Sequence, residues 1–239
     1  MIQAVLYSFL GACANLLGGL IILSGGHRLA RALDFLTAFG GGFMLAVAIL
    51  EMLPEAAEIP AGLPLVLVGY LTVHLTQHAL TPHFHFGEET HVDAMVSRDV
   101  GIWALIGLLP HSFFDGVAIA AGFLTTMDLG VLVSTAIFLH KVPTGISLAS
   151  IMMASGNTRR QALWSVIAIG VATIIGAVVT PTIGVLARYG LGLAAGVTIY
   201  VAASNLIPEV QKRHGWEVSA GLILGIGAFF LVKLILPGH

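Results

Sequence analysis

Long apolar runs dominate the chain, and short breaks containing polar residues, glycine or proline separate them. Eight runs are long enough to cross a hydrocarbon core, which takes about 20 apolar residues in a helix. Polar and apolar positions do not alternate within them, so the pattern predicts membrane helices and argues against a transmembrane barrel. The predicted spans are residues 2–23, 35–56, 62–80, 101–124, 129–153, 161–186, 190–210 and 217–236.

The charges in the breaks predict the topology. Loops rich in Lys and Arg lie on the cytoplasmic side of a membrane. With the N-terminus outside, the outer loops hold Arg188 and the inner loops hold Arg28, Arg31, Arg98, Arg159, Arg160, Lys212 and Arg213. Both termini are therefore expected outside. We expect one transmembrane domain over residues 1–239, with a histidine-rich cytoplasmic loop at about 81–100.

The composition supports a membrane protein and excludes other classes. Of the 239 residues, 57% are hydrophobic and 9% are charged, whereas soluble domains carry about 25% charged residues. The mean hydropathy is +0.98. A formal net charge of −2 without a basic stripe argues against nucleic-acid binding. The single cysteine, Cys13, excludes a disulfide framework.

Two pairs of similar motifs indicate an internal inverted repeat. LPE at 53–55 ends the second span, and IPE at 207–209 ends the seventh. HSFFDG at 111–116 lies in the fourth span, and HKVPTG at 140–145 lies in the fifth. In the predicted topology the two spans of each pair run in opposite directions, as in transporters built from inverted repeats. The pattern predicts three helices, a central inverted pair and three further helices.

Ionisable residues in the two central spans are the strongest candidates for chemistry. His111 and Asp115 lie one turn apart on one helix face, and His140 lies at similar depth in the next span. Ionisable groups are costly at membrane depth, so each marks a candidate functional site. Two imidazoles and a carboxylate are typical ligands of transition metals. Met44, at similar depth in the second span, is a candidate further ligand.

Neighbouring positions leave alternatives open. Lys141 follows His140 directly and therefore points about 100° away around the helix. It either occupies a place where a second cation would bind or pairs with a carboxylate such as Asp115. Gly116 and Gly145 are expected to let the fourth and fifth spans approach each other closely.

Polar residues nearer the span ends are candidates for a permeation path. Glu51 lies two turns from Met44 on the same helix face, and we expect it to form an entrance path with Glu55. Candidates for the exit or for metal binding in the loop are Asn205, Glu209, His74, His78, His83, His85 and His91. Interhelical hydrogen bonds and a solvated loop would account for the same residues.

The motifs resemble those of the ZIP family of metal-ion transporters over essentially the whole chain. HSFFDG and HKVPTG are similar to elements of the family's fourth and fifth helices. GFMLAVAILEMLPEA at 42–56 and SNLIPE at 204–209 are similar to its second and seventh helices. The resemblance implies an all-α bundle of eight helices in a 3+2+3 inverted repeat. It also implies transport of divalent metals, chiefly zinc and iron, toward the cytoplasm.

Carried over residue by residue, the resemblance also implies a ligand set. The implied metal ligands are Met44, His111, Asp115 and His140. Three positions depart from the residues common in the family and replace parts of a second metal site: Ser112, Lys141 and Thr144. We therefore expect one metal in the central site.

The sequence thus predicts a metal transporter without enzyme activity or a cofactor. The expected cargo is zinc, with Fe²⁺, Mn²⁺ and Cd²⁺ as alternatives. The expected setting is a homodimer in the cytoplasmic membrane of a prokaryote. One alternative is an intramembrane metal hydrolase, which needs a general acid or base beside an open metal position. The other is a metal-responsive membrane protein that transports nothing.

Overall fold

A computed structural model describes residues 1–25, 30–78, 98–211 and 216–236. These ranges form helices joined by short connections. The helices are α1 (Ile2–Leu23), α2 (Ala30–Val47, a π-helical turn over Ala48–Met52, then Leu53–Glu58), α3 (Gly62–His78), α4 (Arg98–Thr125), α5 (Met127–Ala154), α6 (Arg159–Val179), α7 (Gly184–Tyr200, a π-helical turn over Val201–Leu206, then Ile207–Gln211) and α8 (Trp216–Ile235).

Seven of these helices are long and apolar enough to cross a membrane. The exception is α3, which has 17 residues and ends at His78, the last residue described before Arg98. Most of the predicted histidine-rich loop, including His83, His85 and His91, lies outside the described residues. Large apolar side chains such as Leu67 and Leu234 are exposed, as a surface facing lipid requires. The chain is a membrane protein with several transmembrane helices.

Side-chain caps and a proline set boundaries that hydropathy alone places less well. The Thr126 hydroxyl accepts a hydrogen bond from the Leu129 N–H and starts α5, and a Thr158–Gln161 capping box starts α6. The break between the sixth and seventh spans was predicted at 187–189 and lies earlier, between α6 and α7. Pro181 explains the shift, because its missing N–H cannot continue the helical hydrogen bonds.

Glycines bring parallel helices into backbone contact, but not the pair that the sequence predicts. A Cβ at Gly116 would lie 1.9 Å from the Thr173 carbonyl oxygen in α6, and a Cβ at Gly145 would lie 2.0 Å from the Asn15 carbonyl oxygen in α1. The predicted glycine contact between α4 and α5 is therefore wrong. Gly116 lies about 100° around its helix from the adjacent Asp115, so it cannot face α5 when Asp115 does.

Helix neighbours follow a two-fold pattern. α1 packs on α5 as α6 packs on α4, α2 packs on α8 as α7 packs on α3, and α2 packs on α5 as α7 packs on α4. Exchanging α1 with α6, α2 with α7, α3 with α8 and α4 with α5 leaves this set of pairs unchanged. The same exchange interchanges the two π-helical turns. α5 is central, with 72% of its spanning window buried, whereas α8 is peripheral with 17% buried.

Candidate metal centre

Three buried ligand groups meet where α4 and α5 pack together. His111 Nε2 lies 3.5 Å from Asp115 Oδ2, and His140 Nε2 lies 3.4 Å from the same oxygen. One ligand atom from each residue lies within 4.8 Å of the others. Each side chain is at most 2% exposed. The predicted constellation of two histidines and one aspartate is therefore assembled.

The hydrogen bonds of the histidines leave nitrogen atoms available to a cation. His140 Nδ1 lies 3.1 Å from the Ala136 carbonyl oxygen one turn earlier, so a proton on Nδ1 is donated to that carbonyl. The His140 Nε2 lone pair then points toward Asp115. Among the described residues, neither His140 Nε2 nor His111 Nδ1 has a hydrogen-bond partner. Buried polar atoms without partners are costly, and a borderline-soft metal such as zinc beside Asp115 would satisfy His140 Nε2.

Lys141 contributes a cation to the same centre. Its Nζ lies 2.7 Å from Asp115 Oδ2 and donates to Ser112 Oγ at 3.3 Å. The Lys141 side chain is completely buried. Of the two alternatives that the sequence leaves open, the structure therefore contains the ion pair with Asp115. A buried ammonium needs such a partner, because an unpaired charge at this depth is strongly unfavourable.

The hydroxyl of Thr144 is used within its own helix. Thr144 Oγ1 donates to the His140 carbonyl oxygen at 2.9 Å. The position therefore adds no charge to the centre. Asp115 is the only carboxylate in the described group of potential ligands.

Comparison with known proteins decides the family. A family model described as ZIP zinc transporter matches residues 73–233, which is more than half of the chain. The chain belongs to the ZIP family. Zinc transporter ZupT from Enterobacter sp. (strain 638) is 26% identical over 97% of this chain and 96% of its own length. ZIP proteins are transporters, which removes support from the hydrolase alternative.

Animal relatives match this ZIP protein over part of their length. Zinc transporter foi from Drosophila melanogaster is 28% identical over 69% of this chain and 25% of its own length. Zinc transporter ZIP6 from Homo sapiens is 28% identical over 64% of this chain and 22% of its own length. The chain thus spans about a quarter of these two relatives and nearly all of ZupT.

Met44 is completely buried in α2. It lies one turn after Gly40, where a Cβ would lie 3.5 Å from the Leu139 backbone in α5. Leu139 directly precedes His140. This placement is compatible with a thioether ligand, and the ligand role of Met44 stays a prediction.

The predicted entrance residues lie near the end of α2. Glu51, in the π-helical turn, forms an ion pair with Lys233 of α8. Glu55 lies one turn further along and is partly buried. The sequence reasoning missed Lys233. Its signal was a single charge at the end of an otherwise apolar span.

The predicted exit histidines lie at the end of α3. The His74 and His78 rings stack with centroids 4.3 Å apart, and Tyr200 O–H is within hydrogen-bond distance of His78 Nδ1 at 3.3 Å. Sequence reasoning also missed Tyr70, whose hydroxyl lies 3.2 Å from Ser204 Oγ. The spacing of Tyr70, His74 and His78 by four residues was the available signal.

Asn205 and Glu209 lie near the end of α7. Asn205 is buried in the π-helical turn, and Glu209 lies in the following helical segment. The Glu209 side chain is outside what the structure describes. Roles in metal exit stay predictions for both residues.

Proposed function

We propose that this ZIP protein transports a divalent transition metal across a membrane through His111, Asp115 and His140, with zinc as the first candidate. The observation that carries the proposal is a buried set of two imidazoles and a carboxylate within 4.8 Å of one another. The names of the relatives, which are zinc transporters, favour zinc. Fe²⁺, Mn²⁺ and Cd²⁺ are alternative cargoes that the same ligands suit.

The centre is suited to one metal ion. The Lys141 ammonium lies 2.7 Å from the Asp115 carboxylate, so a second divalent ion there would meet a fixed positive charge. Ser112 and Thr144 offer hydroxyls in place of charged ligands. The ammonium also balances the Asp115 charge, so the bound metal is held less tightly and is released more easily.

The family resemblance implies transport toward the cytoplasm, and the distribution of basic residues predicts which ends of the helices face the cytoplasm. With both termini outside, metal enters between Glu51 and Glu55 and leaves past Asn205 and the histidine-rich loop toward the cytoplasm. A bacterial relative that matches nearly the whole chain supports the cytoplasmic membrane of a prokaryote as the location. A homodimer in the lipid bilayer is the proposed assembly.

Alternating access requires two arrangements of the helices around the centre. The two-fold pattern of helix neighbours supports a 3+2+3 inverted repeat. The two repeats are interleaved, because α1 packs on α5 and α6 while α2 packs on α8. One repeat therefore cannot rock against the other as a separate body. We place the motion between α1, α4, α5 and α6 on one side and the remaining helices on the other.

Zinc influx into proteoliposomes that contain a zinc-sensitive dye tests the proposal. Wild type should fill the vesicles, and His111→Ala and His140→Ala should lower the initial rate at least about tenfold, because each removes a ligand. Asp128→Asn, which changes a carboxylate in the first turn of α5, is the matched control. Zinc binding without influx in wild type would favour the non-transporting alternative.

A further inference from the structure

Two isolated charges meet where α2 and α8 end. Glu51 is the first charged residue after Asp34 in α2, and Lys233 is the first after Glu217 in α8. They form an ion pair in which the Glu51 side chain is 18% exposed and the Lys233 side chain is 55% exposed. Charges within apolar spans are costly. The pairing lowers that cost, but two apolar residues would lower it further, so stability alone does not explain the pair.

The two-fold pattern of the bundle places polar pairs at equivalent positions at its two ends. The contact between Gly42 of α2 and α8 corresponds to the contact between Gly196 of α7 and α3. In the register that these helix contacts set, Glu51 corresponds to Asn205, and Lys233 corresponds to Gln77. Asn205 and Gln77 are both buried. Two polar residues therefore occupy this site at both ends of the bundle, and the residues are charged at one end only.

The position of Glu51 connects the pair to the metal centre. Glu51 is two turns beyond Met44, and α2 packs against α5 beside His140. The π-helical turn over Ala48–Met52 adds a residue to the helical turn and reorients the side chains that it contains. Such turns are frequent at functional sites. Among the carboxylates of α2, Glu51 is the nearest in sequence to Met44.

We propose that Lys233 sets the affinity of the entrance by holding the Glu51 carboxylate until a divalent cation replaces the ammonium. This proposal rests on the proposed transport function. Lys233 lies in the last turn of α8, so its ammonium can reach the membrane–water interface while its stem stays along the helix. The released carboxylate then binds the incoming ion. Weakly binding monovalent cations do not displace the ammonium, so Lys233 is a specificity-determining residue.

The reactivity of the Lys233 amine tests this exchange without measuring transport. Full-length protein in nanodiscs is treated with an amine-acylating reagent, and modification of Lys233 is quantified by mass spectrometry. Zinc should raise the wild-type rate about three- to fivefold, the size expected for a partly exposed ion pair. Glu51→Gln should react at the fast rate with or without zinc. Glu58→Gln, which removes an exposed carboxylate of the same helix, should behave as wild type.

Unchanged Lys233 modification on addition of zinc would overturn the proposal, whatever the transport assay shows. Transport then provides an independent second readout. Lys233→Met should lower the half-saturating zinc concentration about three- to fivefold at an unchanged maximal rate, and Lys233→Arg should retain the wild-type value.

A double variant separates ion exchange from a purely structural contact. In the Glu51→Gln background, Lys233→Met should have no further effect on half-saturation, because the carboxylate that Lys233 holds has already been removed. If the ion pair were only a structural contact between α2 and α8, its removal would instead lower the maximal rate and the unfolding temperature and leave half-saturation unchanged. Failure of wild type to take up zinc would contradict the proposed function, while the modification assay would still decide the role of Lys233.

Discussion

Three nitrogen atoms lie close to a single carboxylate oxygen in the candidate metal centre. Asp115 Oδ2 lies 2.7 Å from Lys141 Nζ and about equally far from the two histidine Nε2 atoms, at 3.4 and 3.5 Å. Removal of one partner from a buried ion pair leaves an uncompensated charge and costs roughly 3–5 kcal/mol. The ammonium therefore stabilises the metal-free protein, and under the proposed function it would compete with the metal for the same oxygen.

Lys141→Met should separate these two effects. Without zinc the variant should unfold at a lower temperature than wild type, because Asp115 loses its partner. With zinc the gain in unfolding temperature should exceed that of wild type, because the metal no longer competes with the ammonium. Thermal unfolding in detergent with and without zinc measures both effects.

Ser112→Ala is the control for Lys141→Met. It removes a hydrogen-bond acceptor of Lys141 and leaves the ion pair with Asp115 in place. Its zinc-dependent gain should match that of wild type. A gain in Lys141→Met equal to or smaller than the wild-type gain would contradict competition at Asp115.

Helix pairs are held by glycines that admit a neighbouring backbone. Gly145 of α5 lies against the Asn15 carbonyl, and Gly18 of α1 lies against the Val142 carbonyl, so the two helices contact each other reciprocally. Asn15 also donates from Nδ2 to the Val166 carbonyl oxygen in α6 at 2.8 Å. These contacts fix α5, and with it His140, relative to its neighbours.

Gly145→Ala should therefore destabilise the protein. The added methyl group would lie 2.0 Å from a backbone oxygen, so α1 and α5 must separate. Overpacking of this kind costs about 1–3 kcal/mol. Gly227→Ala in α8 is the matched control, since a Cβ there meets nothing within 4 Å. Equal unfolding temperatures for the two variants would contradict the role of Gly145 in helix packing.

The sequence predicts the positions of the helices better than it predicts which helices and side chains pack together. Hydropathy is a local property, so the eight predicted spans correspond to eight described helices, seven of which are long and apolar enough to cross a membrane. Ionisable residues at depth identified His111, Asp115 and His140. The partners of Lys141 and Gly145 depend on how helices distant in sequence are rotated against each other. Neither residue's own sequence neighbourhood carries that information. The π-helical turns were missed for the same reason.

At the scale of the whole molecule, the two halves of the sequence form one interleaved bundle. α4 and α5 are enclosed by helices from both halves, so the centre lies inside and the apolar residues of α8 lie outside. Only a membrane can cover such a surface, because exposed apolar patches of this extent are unfavourable in water. The basic residues of the loops predict the orientation of the bundle in that membrane.

Reporter fusions test the predicted orientation. The excess of basic residues in the inner loops predicts that both termini lie outside. Alkaline phosphatase fused to the C-terminus should be active, and a fluorescent protein that folds only in the cytoplasm should be dark there. A fluorescent C-terminal fusion with inactive phosphatase would contradict the predicted orientation.

The most direct test of the central claim is the initial rate of zinc influx into proteoliposomes that contain the Asp115→Asn variant. The substitution keeps the shape of the side chain and removes the only carboxylate of the described ligand group. We predict a loss of at least about tenfold relative to wild type, with Asp128→Asn unchanged. Wild-type influx in Asp115→Asn would contradict the claim that this centre carries the transported metal.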